Sequence, residues 1–263
     1  MRCGVFDSGI GGLTVAKELI SSVDGLEVSY FADFFHLPYG PRPLEEVRGF
    51  VINIIDFLFS TGLDMVVMGC NMSVASGAHK IWQAKSDKPI FEIITPACDA
   101  AVKVSKNRII GVINTEGTYR SNIYQNTLAS VGAKKSVVVP CPDFVPLIEA
   151  NVRDEDAIRR AVKEYLAPIK SAAADTLIYG CTHYPFLAQE IHEELGDSVT
   201  LINPAVTILN EVKAFCAQNT SKTTQNTSIE HKFYCTGNPE NLIKFAPFLG
   251  QKIEHVEIIK ELE

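Results

Sequence analysis

Two cysteines stand in matched settings. Asp64-Met65-Val66-Val67-Met68-Gly69-Cys70-Asn71 and Asp175-Thr176-Leu177-Ile178-Tyr179-Gly180-Cys181-Thr182 each read as an Asp, an apolar run, Gly-Cys and a small hydrogen-bonding residue, 111 residues apart. A single nucleophilic thiol suits acyl transfer, but then the second thiol has no task. Two groups of one chemical kind suit the inversion of a stereocentre. Enantiomers have equal free energy, so a base must take a proton from one face while an acid delivers one to the other, and the roles swap in the reverse direction. One sulfur must be a thiolate while the other is a thiol. Each cysteine follows a Gly at a strand end and precedes a helix candidate, whose N-terminal partial charge is expected to lower the thiol pKa from its free value of about 8.5.

Helpers for such proton transfer are visible. Asp7 follows an apolar run in Gly4-Val5-Phe6-Asp7-Ser8-Gly9, and His183 lies two residues after Cys181. Glu149 closes Asp143-Phe144-Val145-Pro146-Leu147-Ile148-Glu149 as a third candidate. Each has a plainer alternative: a cap on a helix beginning near Gly11 or Gly12 for Asp7, a hydrogen-bonded structural residue for His183, a solvated helix carboxylate for Glu149. The glycine-rich turn Asp7-Ser8-Gly9-Ile10-Gly11-Gly12 could cradle an anion, either a phosphate or a substrate carboxylate. It matches neither nucleotide-binding glycine pattern. Thr115 and Thr118 occupy the equivalent turn of a second half, with helix capping as the alternative.

These groups must be carried by a parallel α/β scaffold. Short apolar runs at Cys3–Phe6, Val28–Ala32, Met65–Met68, Ile90–Ile94, Ile109–Ile113, Ser136–Pro140, Thr176–Tyr179, Val199–Ile202 and Lys232–Cys235 predict strands, several of them buried on both faces. Between them, Val47, Phe50, Val51, Ile54 and Leu58 recur at helical spacing, as do Ala157, Ala161, Tyr165 and Ile169. Strand and helix alternate, which predicts parallel sheets. Besides the cysteine segments, Gly4–Gly9 resembles Gly111–Glu116 at an offset of 107, and Leu37-Pro38 and Val145-Pro146 lie 108 apart. Three pairs at nearly one spacing predict two similar α/β halves, each placing a cysteine past the carboxyl end of a strand, where open α/β sheets bind ligands. The polar stretch Gln218–Ser228 predicts a surface loop or short linker.

Composition narrows the class. The chain has 263 residues, 46% hydrophobic and 21% charged, enough for a sizeable core and incompatible with wholesale disorder. Its net charge of −7 lacks the basic footprint of a nucleic-acid binder. The N-terminus carries no signal-peptide pattern, and the greasiest window, Phe50 to Phe59, falls far short of the ~20 apolar residues of a membrane span. Seven cysteines, an odd number without a C-x-x-C pair, argue against a disulfide framework or a zinc cage and for reduced thiols in the cytoplasm. Cys3, Cys98, Cys141, Cys216 and Cys235 read as small structural hydrophobes.

The segments Gly4-Val5-Phe6-Asp7-Ser8-Gly9-Ile10-Gly11-Gly12-Leu13-Thr14-Val15, Leu37-Pro38-Tyr39-Gly40 and Gly180-Cys181-Thr182-His183-Tyr184-Pro185 closely resemble, in order and spacing, the motifs of the cofactor-independent aspartate/glutamate racemases. The resemblance covers nearly the whole chain. It implies two similar parallel-sheet α/β domains related by pseudo-twofold symmetry, 1–95 with 206–263 and 96–205, facing across a cleft that holds the active site. It implies interconversion of L- and D-glutamate, with proton transfer by Cys70 and Cys181 assisted by Asp7, Glu149 and His183. Substrate binding would fall to Ser8, Pro38, Tyr39, Gly40, Asn71, Met72, Thr115, Thr118 and Thr182. No cofactor and no metal are expected, the only partner besides the amino acid is a second copy in a homodimer, and the D-glutamate would serve bacterial peptidoglycan.

Three positions depart from the family pattern. Met72 stands where a Thr usually follows Cys-Asn, removing a hydroxyl donor. Asp33-Phe34-Phe35-His36 replaces an Asp-Thr or Asp-Ser segment followed by Arg, and Thr95-Pro96 replaces Glu-Pro. The cysteines are retained, so the departures bear on the substrate. A racemase or isomerase of the same superfamily with another acidic or amino-acid substrate, and a silent metabolite-binding homologue, are the alternatives.

Overall fold

The computed structural model describes residues 1–150, 153–219, 229–250, 253 and 255–262. The chain divides into two compact units, Met1–Ile93 with Ile208–Glu263, and Ile94–Thr207. In the first, β1 (Arg2–Asp7), β2 (Glu27–Asp33), β3 (Met65–Met68) and β4 (Ile90–Glu92) form a parallel sheet. The second carries β5 (Ile109–Asn114), β6 (Lys135–Pro140), β7 (Thr176–Gly180) and β8 (Thr200–Ile202), also parallel. Returning to the first unit, β9 (Lys232–Thr236) and β10 (Glu257–Ile258) extend its sheet beyond β2.

The strand orders are β10-β9-β2-β1-β3-β4 and β6-β5-β7-β8. The run β2-β1-β3-β4 therefore matches β6-β5-β7-β8, so the internal repeat read from the sequence is a repeat of topology. In each sheet the order reverses beside the central strand, and the carboxyl ends there are where a doubly wound sheet binds ligands. Asp7 ends β1 and Cys70 follows β3; Asn114 ends β5 and Cys181 follows β7.

Burial explains the near-continuous apolar runs. Every residue of β3 and β7 is buried, as is all of β1 beyond Arg2. The helix Leu44–Ser60 buries Val47, Val51, Ile54, Ile55, Leu58 and Phe59. The helix Glu155–Ser171 buries Ile158, Ala161, Val162, Leu166 and Ile169 in the core of the second unit, with Phe144, Leu177 and Tyr184. That stripe is rotated slightly from the expected one, since Ala157 and Tyr165 are only half-buried. The repeated aspartates secure the strands. Asp64 accepts the Arg2 N–H at 2.8 Å, and Asp175 accepts those of Lys106 and Asn107 at 2.8 and 3.0 Å. Gly4 and Gly111 are a further repeated pair. A Cβ at Gly4 would lie 2.8 Å from Leu63 Cδ1, and one at Gly111 2.8 Å from Ile169 Cγ2.

Several expectations are corrected. The strand expected over Ile90–Ile94 ends at Glu92, because Ile94 opens the helix Ile94–Val104, where Pro96 sits in the first turn without costing a hydrogen bond. β8 begins at Thr200 rather than Val199. The two-residue β10 was not expected; it is an exposed edge too short for a periodic signal. Cys216 is half-buried rather than buried, while all seven cysteines are thiols outside any disulfide. Gln218 and Asn219 end the helix Leu209–Asn219 instead of opening a loop, and the rest of that stretch, 220–228, lies outside the described residues. No helix among the described residues is long and apolar enough to cross a membrane.

Packing at the repeated glycines predicts the effect of Gly111→Val. The added side chain drives Ile169 off the sheet, and chemical denaturation should show a loss of about 1–3 kcal/mol, as for other overpacked cores.

Candidate active site

In the first unit the site residues converge at the carboxyl ends of β1 and β3. Asp7, 1% exposed, accepts the Gly9 N–H at 3.0 Å and the Ser8 hydroxyl at 3.2 Å through Oδ1. The Cys70 thiol in turn donates to Ser8 Oγ at 3.8 Å. Asp7 does not cap the following helix, which opens at Leu13 with Gly12 as its cap residue. The Asp7–Gly9 loop is held from below by Tyr30, whose hydroxyl donates to the Gly9 carbonyl at 2.6 Å.

The electrostatics at Cys70 run opposite to the expectation. Burial first, and then the negative charge of Asp7, push its pKa up to about 12, against hydrogen bonds from Ser73 and Ser8. The helix Asn71–Ala75 that follows has only five residues. So short a helix presents little aligned dipole, and desolvation of the thiolate outweighs it. Asn71 and Met72, the first two residues of this helix, are both buried.

The turn Leu37-Pro38-Tyr39-Gly40 belongs to the same unit. Pro38 is exposed, Gly40 is half-buried and the Tyr39 side chain is buried, its hydroxyl donating to Asp33 at 2.5 Å. Tyr39 could therefore meet a ligand only through its backbone.

In the second unit Cys181 Sγ lies 3.8 Å from His183 Nδ1, and His183 Nε2 lies 2.8 Å from Glu149 Oε1. Glu149 ends the helix Phe144–Glu149, while His183 follows β7 and caps a single 3₁₀ turn, Tyr184–Leu187. The α-helix begins only at Ala188. The helix terminus expected directly after Cys181 is thus replaced by a histidine. A carboxylate can only accept, so it takes the proton of Nε2 and leaves the Nδ1 lone pair facing the thiol. Cys181 and His183 are 7% and 5% exposed. Beside them, Thr115 caps the helix Glu116–Arg120, accepting the Thr118 N–H, and the two threonine hydroxyls lie 3.1 Å apart. The pairing of Asn114 with Gly180 sets Thr115 level with Cys181 at the ends of adjacent strands. Thr182 is buried next in sequence.

The structure therefore joins Asp7, Ser8 and Cys70 in one chain of contacts and Cys181, His183 and Glu149 in another. Sequence reasoning missed Tyr30, which holds the Asp7–Gly9 loop, Thr236, which bonds Asp33, and Asn114, which occupies the Asp7 position of the repeat. Asn114 is fully buried, and neither amide atom has a hydrogen-bond partner among the described residues. Only the Asn114 signal was available, through the alignment of the halves. Thr95 is exposed in the first turn of its helix. Among the described residues no three His, Cys, Asp or Glu side chains are grouped to hold a metal ion.

Comparison with known proteins points the same way. Residues 22–212 match the model of the Asp/Glu/Hydantoin racemase family. The glutamate racemase of Acidothermus cellulolyticus is 36% identical over 255 residues, 96% of this chain and 97% of that protein. The crystal structure of glutamate racemase isoform RacE1 from Bacillus anthracis aligns with a TM-score of 0.91 at 34% identity, covering 98% of this chain and 97% of that one. That of the Francisella tularensis glutamate racemase in complex with D-glutamate aligns at 0.89 with 28% identity, covering 100% and 98%. Similarity to glutamate racemases over nearly the whole chain makes the protein an isomerase of the racemase class. The chain belongs to the Asp/Glu/hydantoin racemase family.

The charge of Asp7 gives a direct test of the site electrostatics. In a Cys181→Ser background, Asp7→Asn removes a negative charge beside Cys70, so the thiol pKa should fall. Ultraviolet thiolate absorbance during a pH titration should show the Cys70 transition moved to lower pH.

Proposed function

We propose that the protein interconverts L- and D-glutamate by proton transfer between two thiols, without a cofactor or metal. Cys70, from the first unit, and Cys181, from the second, serve opposite faces of the substrate α-carbon. The Cys181–His183–Glu149 chain, at 3.8 and 2.8 Å, is the observation that carries this reading.

In one direction the Cys181 proton passes to His183 Nδ1, with Glu149 stabilising the imidazolium. The thiolate then takes the α-proton, so the C–H bond breaks and an S–H bond forms. The planar carbanion receives the Cys70 proton on its other face. The reaction leaves Cys70 as a thiolate and Cys181 as a thiol, the arrangement from which the reverse reaction starts. The starting state returns when His183 gives up its proton to solvent and Cys70 regains one from solvent by way of Asp7 and Ser8; in the opposite direction Asp7 takes the Cys70 proton first. The substrate ammonium adds a positive charge that favours the thiolate. Ser8, Pro38, Tyr39, Gly40, Asn71, Met72, Thr115, Thr118 and Thr182 form the binding surface, with Tyr39 contributing backbone. Similarity to a glutamate racemase solved with D-glutamate supports the substrate. Free cysteines throughout support a reducing cytoplasm, where D-glutamate would enter peptidoglycan synthesis and the protein would work as a homodimer.

A second reading keeps the chemistry and changes the substrate to another acidic amino acid. It is favoured by Met72, whose buried thioether offers no donor beside Cys70.

Purified protein in heavy water should produce D-glutamate from L-glutamate with deuterium at the α-carbon, with no cofactor added. Exchange with a different acidic amino acid, and not with glutamate, would select the second reading. Cys70→Ser and Cys181→Ser should each lower kcat by at least about a thousandfold, since a hydroxyl is a far weaker acid and base than a thiol. Full rate in either variant would sink the two-thiol mechanism. Glu149→Gln, which leaves the imidazole oriented but uncompensated, should lower kcat by about 10- to 100-fold in steady-state assays.

A further inference from the structure

Asp33 ends β2 with its side chain 1% exposed, and it gathers donors from three places in the first unit. The Tyr39 hydroxyl reaches Oδ2 at 2.5 Å and the Thr236 hydroxyl reaches Oδ1 at 2.6 Å. His36 Nδ1 lies 2.9 and 3.0 Å from the two oxygens. Thr236 ends β9, the strand paired with β2, and its oxygen also accepts the Phe35 N–H at 3.1 Å. The His36 ring stacks on Phe50 with centroids 3.8 Å apart, and Arg42 Nε donates to the His36 carbonyl at 2.8 Å. Residues 33–42 are thereby wound around one carboxylate.

This winding ends against the Asp7 loop. Leu37 Cδ1 lies 3.2 Å from where a Cβ on Gly9 would stand. Burial and then the Asp33 carboxylate raise the Tyr39 pKa, so its hydroxyl stays a donor to Asp33.

We propose that Asp33 is a positioning residue for substrate binding: acting through Tyr39, and braced by Thr236 and His36, it holds the Pro38-Tyr39-Gly40 turn against the Asp7–Gly9 loop so that the turn's backbone can meet a substrate carboxylate. The inference rests on the racemase reading above. The chemistry requires an acceptor on both oxygens, because every neighbour facing Asp33 arrives as a donor. An amide at this position would turn its NH₂ group toward one of them.

Steady-state kinetics in both directions, with thermal melts, tests the proposal on Asp33→Asn, Tyr39→Phe, Thr236→Val and Thr236→Ser. The first three should raise KM for both enantiomers about fivefold to tenfold, the scale of one lost hydrogen bond, with kcat within about twofold. Thr236→Ser keeps the hydroxyl and should return KM to within about twofold of the parent. Should Asp33→Asn fail to fold, Tyr39→Phe and Thr236→Val carry the test, since both preserve shape. An active parent protein with KM unmoved in these two variants overturns the positioning role alone. So does a fall in kcat or melting temperature with KM unchanged. A parent that exchanges no α-proton with any acidic amino acid overturns the racemase reading and this inference with it.

Discussion

The cost of burying a sulfur's charge differs between the two matched strand ends, and it sets the two cysteines apart. Burial and the charge of Asp7 hold Cys70 protonated, its pKa raised to about 12. Cys181 instead faces a ring nitrogen whose partner nitrogen is tied to Glu149 at 2.8 Å. One sulfur is biased toward keeping its proton and the other has an acceptor beside it.

The scaffold supplies this asymmetry on a symmetric plan. The same four-strand order occurs in both units, and each cysteine follows a fully buried strand at the point where the order reverses. A parallel strand buried on both faces has little freedom to slip, because a shift of one residue exchanges its two faces. The backbone N–H of Gly69 bonds the Phe6 carbonyl at 2.9 Å, extending the β1–β3 ladder to the residue before Cys70. In the second unit the matching tie runs through the pairing of Asn114 with Gly180. The sulfurs therefore sit on rigid ends, while their partners Ser8, His183 and Glu149 come from loops and helix ends that could diverge between the halves.

This division also decides what could be read from sequence. The strands, the repeated Asp…Gly-Cys segments and the parallel class were legible because they follow from apolar runs and spacing. Glu149 was visible only as a candidate, since 34 residues separate it from His183 and no periodicity links a helix end to a strand-end loop. The direction of the Cys70 shift was misread for a physical reason. Sequence shows that a helix follows but not that it has five residues or that the sulfur is desolvated beside a carboxylate. Asp33 was noted only as part of a departure from the family pattern. Its role emerges from Thr236, 203 residues away and brought alongside by the β2–β9 pairing.

Asp7 and Asn114 occupy equivalent strand ends but differ in the donors around them. Both residues end the central strand of their sheet and both are buried. Asp7 has the Gly9 N–H and the Ser8 hydroxyl to stabilise its charge. Asn114 has no hydrogen-bond partner on either amide atom among the described residues. An unpartnered buried amide costs a few kcal/mol at most, on the order of 1–3, whereas an unpaired buried carboxylate costs several times more or takes up a proton. A neutral amide is thus the form that position tolerates, while the second unit's ionisable pair, the His183 ring against Glu149, lies elsewhere. The first unit keeps a carboxylate because the Ser8-Gly9 turn supplies donors for it. The difference between the two thiols follows from which strand end has N–H and O–H groups to spare.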